Sequence, residues 1–118
     1  MAQDTPDNTD NRVPEDVTVH WLAEQLEAQA PLFLLDVREP WEYEQARIRD
    51  SFGIPMAEIP SRTADLPRDK TIVVICRVGG RSAQVTGWLR SQGFENATNL
   101  QGGTNAWATH IDPEMKTY

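Results

Sequence analysis

The run Thr71-Ile72-Val73-Val74-Ile75-Cys76 limits what this chain can fold into more than any other stretch. It is almost wholly apolar and rich in β-branched residues, whose restricted χ1 favours extended backbone. No polar residue alternates with the apolar ones, so a strand here leaves no face for water. Leu32-Phe33-Leu34-Leu35-Asp36-Val37 has the same character. Strands buried on both faces belong in a parallel sheet covered by helices.

The segments between these runs supply the helices. Val17-Thr18-Val19 reads as a short strand, and His20 to Gln29 as a helix with Leu22 and Leu26 four apart. Pro40 suits the first turn of a helix reaching about Ala46. Phe52-Gly53-Ile54-Pro55 is a weak strand that its proline ends, and Glu58 to Leu66 a short helix interrupted by Pro60. A longer helix runs from Arg81 to Gln92, with Ala83, Val85, Trp88 and Leu89 as its apolar side and Gly93 at its end. Ala97 to Leu100 is a last strand, and Gly102-Gly103 opens a final helix around Ala106 and Trp107. Alternating strands and helices predict an α/β fold: a mainly parallel central sheet of about five strands in three layers, helices on both faces.

The chain has 118 residues, enough for one core. Residues 1–13 read as a flexible acidic arm, residues 14–110 as the domain and residues 111–118 as a C-terminal tail. Eleven basic against eighteen acidic residues give a net charge of −7, which disfavours nucleic acid and anionic lipid as partners. No apolar run approaches the ~18 residues a membrane span needs, and no secretion signal opens the sequence, so the expected location is the cytoplasm. Cys76 is the only cysteine. An internal disulfide and a cysteine-based metal site are thereby excluded, and His20 and His110, at opposite ends of the chain, add little to a metal site.

In open parallel sheets, sites lie beyond the carboxyl ends of the strands, and Cys76 stands at such an end. It begins Cys76-Arg77-Val78-Gly79-Gly80-Arg81-Ser82, which leads directly into a helix. Glycines let successive N–H groups turn inward as an anion nest, and the helix adds its unpaired N–H groups and dipole. These donors favour a thiolate over a thiol, so the Cys76 pKa should fall below its free value.

That loop resembles the active-site loop of rhodanese-type sulfurtransferases, a cysteine and an arginine five positions later bounding a cradle. Leu35-Asp36-Val37-Arg38-Glu39-Pro40-Trp41-Glu42-Tyr43 resembles the family's first signature, and Asn99-Leu100-Gln101-Gly102-Gly103-Thr104-Asn105-Ala106-Trp107 its closing one. The three come in family order over about residues 14 to 110. The segment Ala46-Arg47-Ile48-Arg49-Asp50-Ser51 departs from the family's glycine-histidine-isoleucine-proline-glycine-alanine, and only Ile48 fits.

The resemblance implies a thiosulfate sulfurtransferase that needs no cofactor and no metal. Cys76 takes the outer sulfur of a small anionic donor such as thiosulfate and passes it to cyanide or a thiol. Arg77, Val78, Gly79, Gly80, Arg81 and Ser82 bind the substrate, and Asp36 and Arg38 support the loop as an ion pair. Arg77 is expected to be the more exposed of the loop arginines, with Arg81 also pairing a carboxylate, Asp36 or Glu39. Trp107 and Trp88 read as core packing; Trp41 is a pocket wall or a staple of its short helix.

Two rival functions stand beside this one. A phosphatase or arsenate reductase also uses a cysteine–loop–arginine cradle, but four residues separate Cys76 from Arg81, where phosphatase relatives of this fold use five. A non-catalytic persulfide carrier or sulfide-sensing module, handing sulfur to a relay protein, is the other.

Overall fold

The structure is a computed structural model and describes residues 13–118. Five parallel strands form one sheet: β1 (Asp16–Val17), β2 (Leu32–Asp36), β3 (Phe52–Gly53), β4 (Thr71–Ile75) and β5 (Ala97–Leu100), in the order β1-β5-β4-β2-β3. The two apolar runs lie side by side at the centre, with Leu32 opposite Thr71 and Asp36 opposite Ile75. Among the described residues, α1 (Val19–Glu27), α2 (Pro40–Gln45) and α3 (Gly80–Ser91) each join two strands, and α4 (Gly103–His110) follows β5.

Successive side chains of β4 serve opposite layers, as the pleat requires. Ile72, Val74 and Cys76 pack with Val85 and Leu89 of α3, whereas Val73 and Ile75 pack with Leu22 of α1 and Trp107 of α4. Ile72, Val73, Val74 and Ile75 are completely shielded from solvent. Each such side chain adds ~1.5–3 kcal/mol when buried, so β4 is the fold's firmest element and a fixed base for the Cys76 loop. The expected three-layer α/β architecture is the one observed.

Several local details differ from the sequence expectations. Thr18 leaves the first strand because its Oγ1 caps α1, accepting the Trp21 N–H at 3.1 Å. That helix stops at Glu27, and Gln29 lies just beyond it with a left-handed φ of 58°. The region expected as a helix from Glu58 to Leu66 is two 3₁₀ turns, Met56–Ser61 and Thr63–Asp65, short units that Pro60 and the chain's sharp course suit better. The buried side of α3 is Ser82, Val85, Thr86 and Leu89; it keeps Val85 and Leu89 of the expected stripe but has Ser82 and Thr86 in place of Ala83 and Trp88, so Trp88 is 36% exposed rather than core.

The acidic arm lies outside the described residues apart from Val13, whose N–H donates to the Glu95 carbonyl at 3.2 Å. Beyond α4, Ile111 and Met115 pack on the α1 layer, and Tyr118 returns to Arg38 at the carboxyl end of β2. His20 and His110, distant in sequence, face each other with ring centroids 5.4 Å apart. Among the described residues, no group of three His, Cys, Asp or Glu side chains is placed to hold a metal. No helix there is long and apolar enough to cross a membrane.

Candidate active site

Cys76 comes directly after the last residue of β4 and is 1% exposed. The backbone then reverses through Gly79, whose φ of 108° is open to glycine at little cost, and enters α3 at Gly80. The turn brings donors onto the sulfur. The Gly79 N–H lies 3.0 Å from Sγ and the Ser82 hydroxyl 3.2 Å. Burial pushes the Cys76 thiol up, but hydrogen bonds from the Ser82 hydroxyl and from the N–H groups of Ser82, Gly79 and Val78 outweigh it. The net direction is down from the ordinary thiol value.

The inward turn of the N–H groups has a counterpart in where the carbonyls go. The Thr104 N–H donates to the Cys76 carbonyl at 2.9 Å, and the Asn105 N–H to the Arg77 carbonyl at 3.0 Å. The first turn of α4 thus holds the back of the loop. The approach is so close that a Cβ on Gly103 would stand 2.2 Å from the Cys76 oxygen.

Arg81 forms a two-pronged pair with Glu42, Nη1 to Oε1 at 2.7 Å and Nη2 to Oε2 at 2.9 Å. Its partner is therefore Glu42, not Asp36 or Glu39. Glu39 instead caps α2 reciprocally with Glu42, the Glu39 N–H donating to Oε1 at 2.9 Å. Hydrogen bonding from Arg81 is the main reason the Glu42 carboxyl titrates down to about 2, against the opposing pull of burial. Arg81 is correspondingly raised above its ordinary value by the same bond.

Both Asp36 oxygens are taken by Arg38, at 2.9 Å from Nε and 2.7 Å from Nη2. A second Arg38 contact reaches the Ala46 carbonyl at 2.6 Å. This fixes the wall formed by the atypical 46–51 segment, where Ile48 is buried in the core. The third, Nη1 to the Tyr118 hydroxyl at 2.7 Å, continues to Glu42, to which that hydroxyl donates at 3.1 Å. A chain Asp36–Arg38–Tyr118–Glu42–Arg81 thus braces one side of the loop. Arg77 is half-buried rather than freely exposed, its guanidinium 5.1 Å from the centre of the Tyr118 ring. Trp41 stays exposed and meets Tyr118 edge-on.

The structure brings Cys76, Arg77, Val78, Gly79, Gly80, Arg81 and Ser82 into one loop, with Asp36 and Arg38 behind it. Sequence reasoning missed Glu42, Tyr118 and Asn99. The Glu39-x-x-Glu42 spacing was a capping signal that placed Glu42 on the first turn of α2. No pattern in residues 111–118 pointed to Tyr118.

A thiol steered toward its anion by backbone donors can act as a nucleophile. The profile of the rhodanese-like domain matches residues 18–110. The chain belongs to the rhodanese-like domain family. A sulfurtransferase of Allochromatium vinosum is 39% identical over 89 residues, covering 75% of this chain and 83% of that protein. The probable adenylyltransferase/sulfurtransferase MoeZ of Mycobacterium tuberculosis is 38% identical over 104 residues, 86% of this chain but 26% of MoeZ. The chain spans a third or less of several of its curated relatives. Among solved structures, a rhodanese-related protein from Thermoplasma volcanium superposes with a TM-score of 0.74 at 34% identity, over 83% of this chain and 94% of that one. This rhodanese-like domain thus has sulfurtransferase relatives and shares their fold.

Proposed function

We propose that this domain moves sulfane sulfur from thiosulfate or a similar small anion to cyanide or a thiol, through a persulfide on Cys76. The observation that carries the reading is the placing of the Gly79 N–H and the Ser82 hydroxyl on a buried sulfur, 3.0 and 3.2 Å away. In the first step Sγ attacks the outer sulfur of thiosulfate; the S–S pair leaves with sulfite and the charge stays on the new terminal sulfur. In the second, an acceptor removes that sulfur and Sγ becomes a thiolate again. Arg77 and Arg81 offset the donor's charge, and N–H groups of the loop stabilise the anion at each stage. The loop itself lowers the thiol pKa, so no histidine base takes part.

Relatives that join such a domain to an adenylyltransferase, as MoeZ does by its name, favour a protein thiol in a sulfur relay as one acceptor. A cytoplasmic location suits that role.

Intact-mass measurement after incubation with thiosulfate tests the proposal. The wild type gains one sulfur atom, and Cys76→Ser, nearly isosteric, gains none while keeping its fold. Thiocyanate formation by Cys76→Ser at the wild-type rate would remove Cys76 from the mechanism.

A further inference from the structure

Behind the sulfur, away from solvent, a second line of hydrogen bonds leaves the loop. Ser82 is completely buried, and its single hydroxyl proton faces two acceptors: Sγ of Cys76 at 3.2 Å and Oδ1 of Asn99 at 2.5 Å. Asn99 lies on β5, directly opposite Asp16 of β1 in the parallel register, and its Nδ2 donates to Asp16 Oδ1 at 2.9 Å. A carboxylate only accepts, so Asp16 fixes the amide with Nδ2 outward and Oδ1 toward Ser82. One proton cannot serve both acceptors.

We propose that Asp16, acting through Asn99, decides which acceptor receives the Ser82 proton, and so makes Asn99 and Asp16 positioning residues that favour states with no charge on Sγ. When Cys76 is a thiol, its S–H donates to Ser82 and the hydroxyl serves Asn99. When Sγ is ionised, the hydroxyl turns to it and Asn99 Oδ1 is left bare in a buried site, an arrangement that costs free energy. Sulfur transfer relieves this. As the Sγ–S bond forms and the donor's S–S pair leaves with sulfite, charge passes from Sγ to the terminal sulfur, and the hydroxyl returns to Asn99. The arrangement raises the reactivity of the free thiolate and favours the loaded protein; this last step rests on the function proposed above.

The other charged or titratable groups around Cys76 are Arg77 of the loop, Arg81 of α3, Glu42 of α2 behind Arg81, Tyr118, and the Asp36–Arg38 pair at the carboxyl end of β2. All stay in place when the exposed Asp16 is changed. Asp16→Asn frees the Asn99 amide to rotate and present Nδ2 to Ser82, leaving Sγ as the only acceptor for the Ser82 proton.

The test measures the rate of Cys76 alkylation by iodoacetamide against pH at 0.5 M salt, a level chosen to screen any direct effect of the exposed charge. Asp16→Asn should lower the apparent pKa by about 0.5 unit, about threefold more thiolate at pH values below it. Asn99→Ala, which deletes the competing acceptor, should move it the same way. In a Ser82→Ala background Asp16→Asn should shift it by less than ~0.1 unit, because the proton in question is gone. An unchanged value in Asp16→Asn, or an equal shift with and without Ser82, overturns the inference. Alkylation needs no sulfur donor, so these results stand apart from the sulfur-loading test: a domain that never accepts sulfur refutes the proposed function and leaves the proton competition to be judged on its own titration.

Discussion

Two glycine pairs stand just past neighbouring strands, Gly79-Gly80 after β4 and Gly102-Gly103 after β5. As sequence they are interchangeable; as structure they are not. Gly79 reverses the chain so that its N–H meets a sulfur, and beyond it Gly80 has nothing within 4 Å of where a side chain would begin. Gly102 and Gly103 both carry positive φ, 78° and 56°, and added side chains would strike Ala106 and the Cys76 carbonyl. The first pair shapes the loop that surrounds the sulfur. The second lets α4 come near enough to hold that loop from behind. A site of this kind is set as much by what secures its carbonyls as by what its N–H groups point at.

The difference can be broken at its strongest point. Gly103→Ala places a methyl 2.2 Å from the Cys76 oxygen in a left-handed conformation, so α4 or the loop must move. A loss of ~3 kcal/mol or more is expected in urea unfolding, together with slower alkylation of Cys76 at neutral pH. Wild-type values for both would show that α4 does not brace the loop. Gly79→Ala is next: its φ of 108° strains any side chain, and its Cβ would approach the Gly102 nitrogen at 3.2 Å. A cost of ~1–3 kcal/mol is expected, with Cys76 alkylation showing a raised apparent pKa as the N–H swings off Sγ.

Acid should act on the other side of the same loop. The Glu42 carboxyl is held at about 2 against an ordinary 4.5. A folded-state pKa below the unfolded one gives stability that is fully present above about pH 4.5 and is lost as pH falls toward about 2. Unfolding midpoints measured across that window should decline, and Glu42→Gln should flatten the decline. A parallel decline in both proteins would assign the acid sensitivity elsewhere. Gly80→Ala is the smallest effect and has the opposite sign. With open space around it and a helical conformation, alanine should stabilise by ~0.4–1 kcal/mol through the unfolded chain, and a lower urea midpoint than wild type would contradict this.

The features that residues display locally were legible before any coordinates. Thr71 to Cys76 announced a buried central strand by its composition, and the glycines after Cys76 announced a turn able to gather N–H groups. What sequence reasoning missed depends on distant pieces meeting. Arg81 finds Glu42 across 39 positions because Asp36 is already occupied by Arg38 two residues away, and no periodicity records that choice. The face of α3 was misjudged for a related reason: two of its buried positions are hydroxyls, Ser82 and Thr86, so an apolar stripe is the wrong guide to its orientation. Ser82 is polar yet inside, where its hydroxyl finds partners in the sulfur and Asn99.

The near-complete enclosure of Cys76 has a consequence for what can use it. A centre showing 1% of its surface favours a slender reagent over a bulky one. In the persulfide proposed above, the added sulfur stands about 2 Å beyond Sγ. On that proposal the outer atom is the one an acceptor takes, and Sγ stays enclosed.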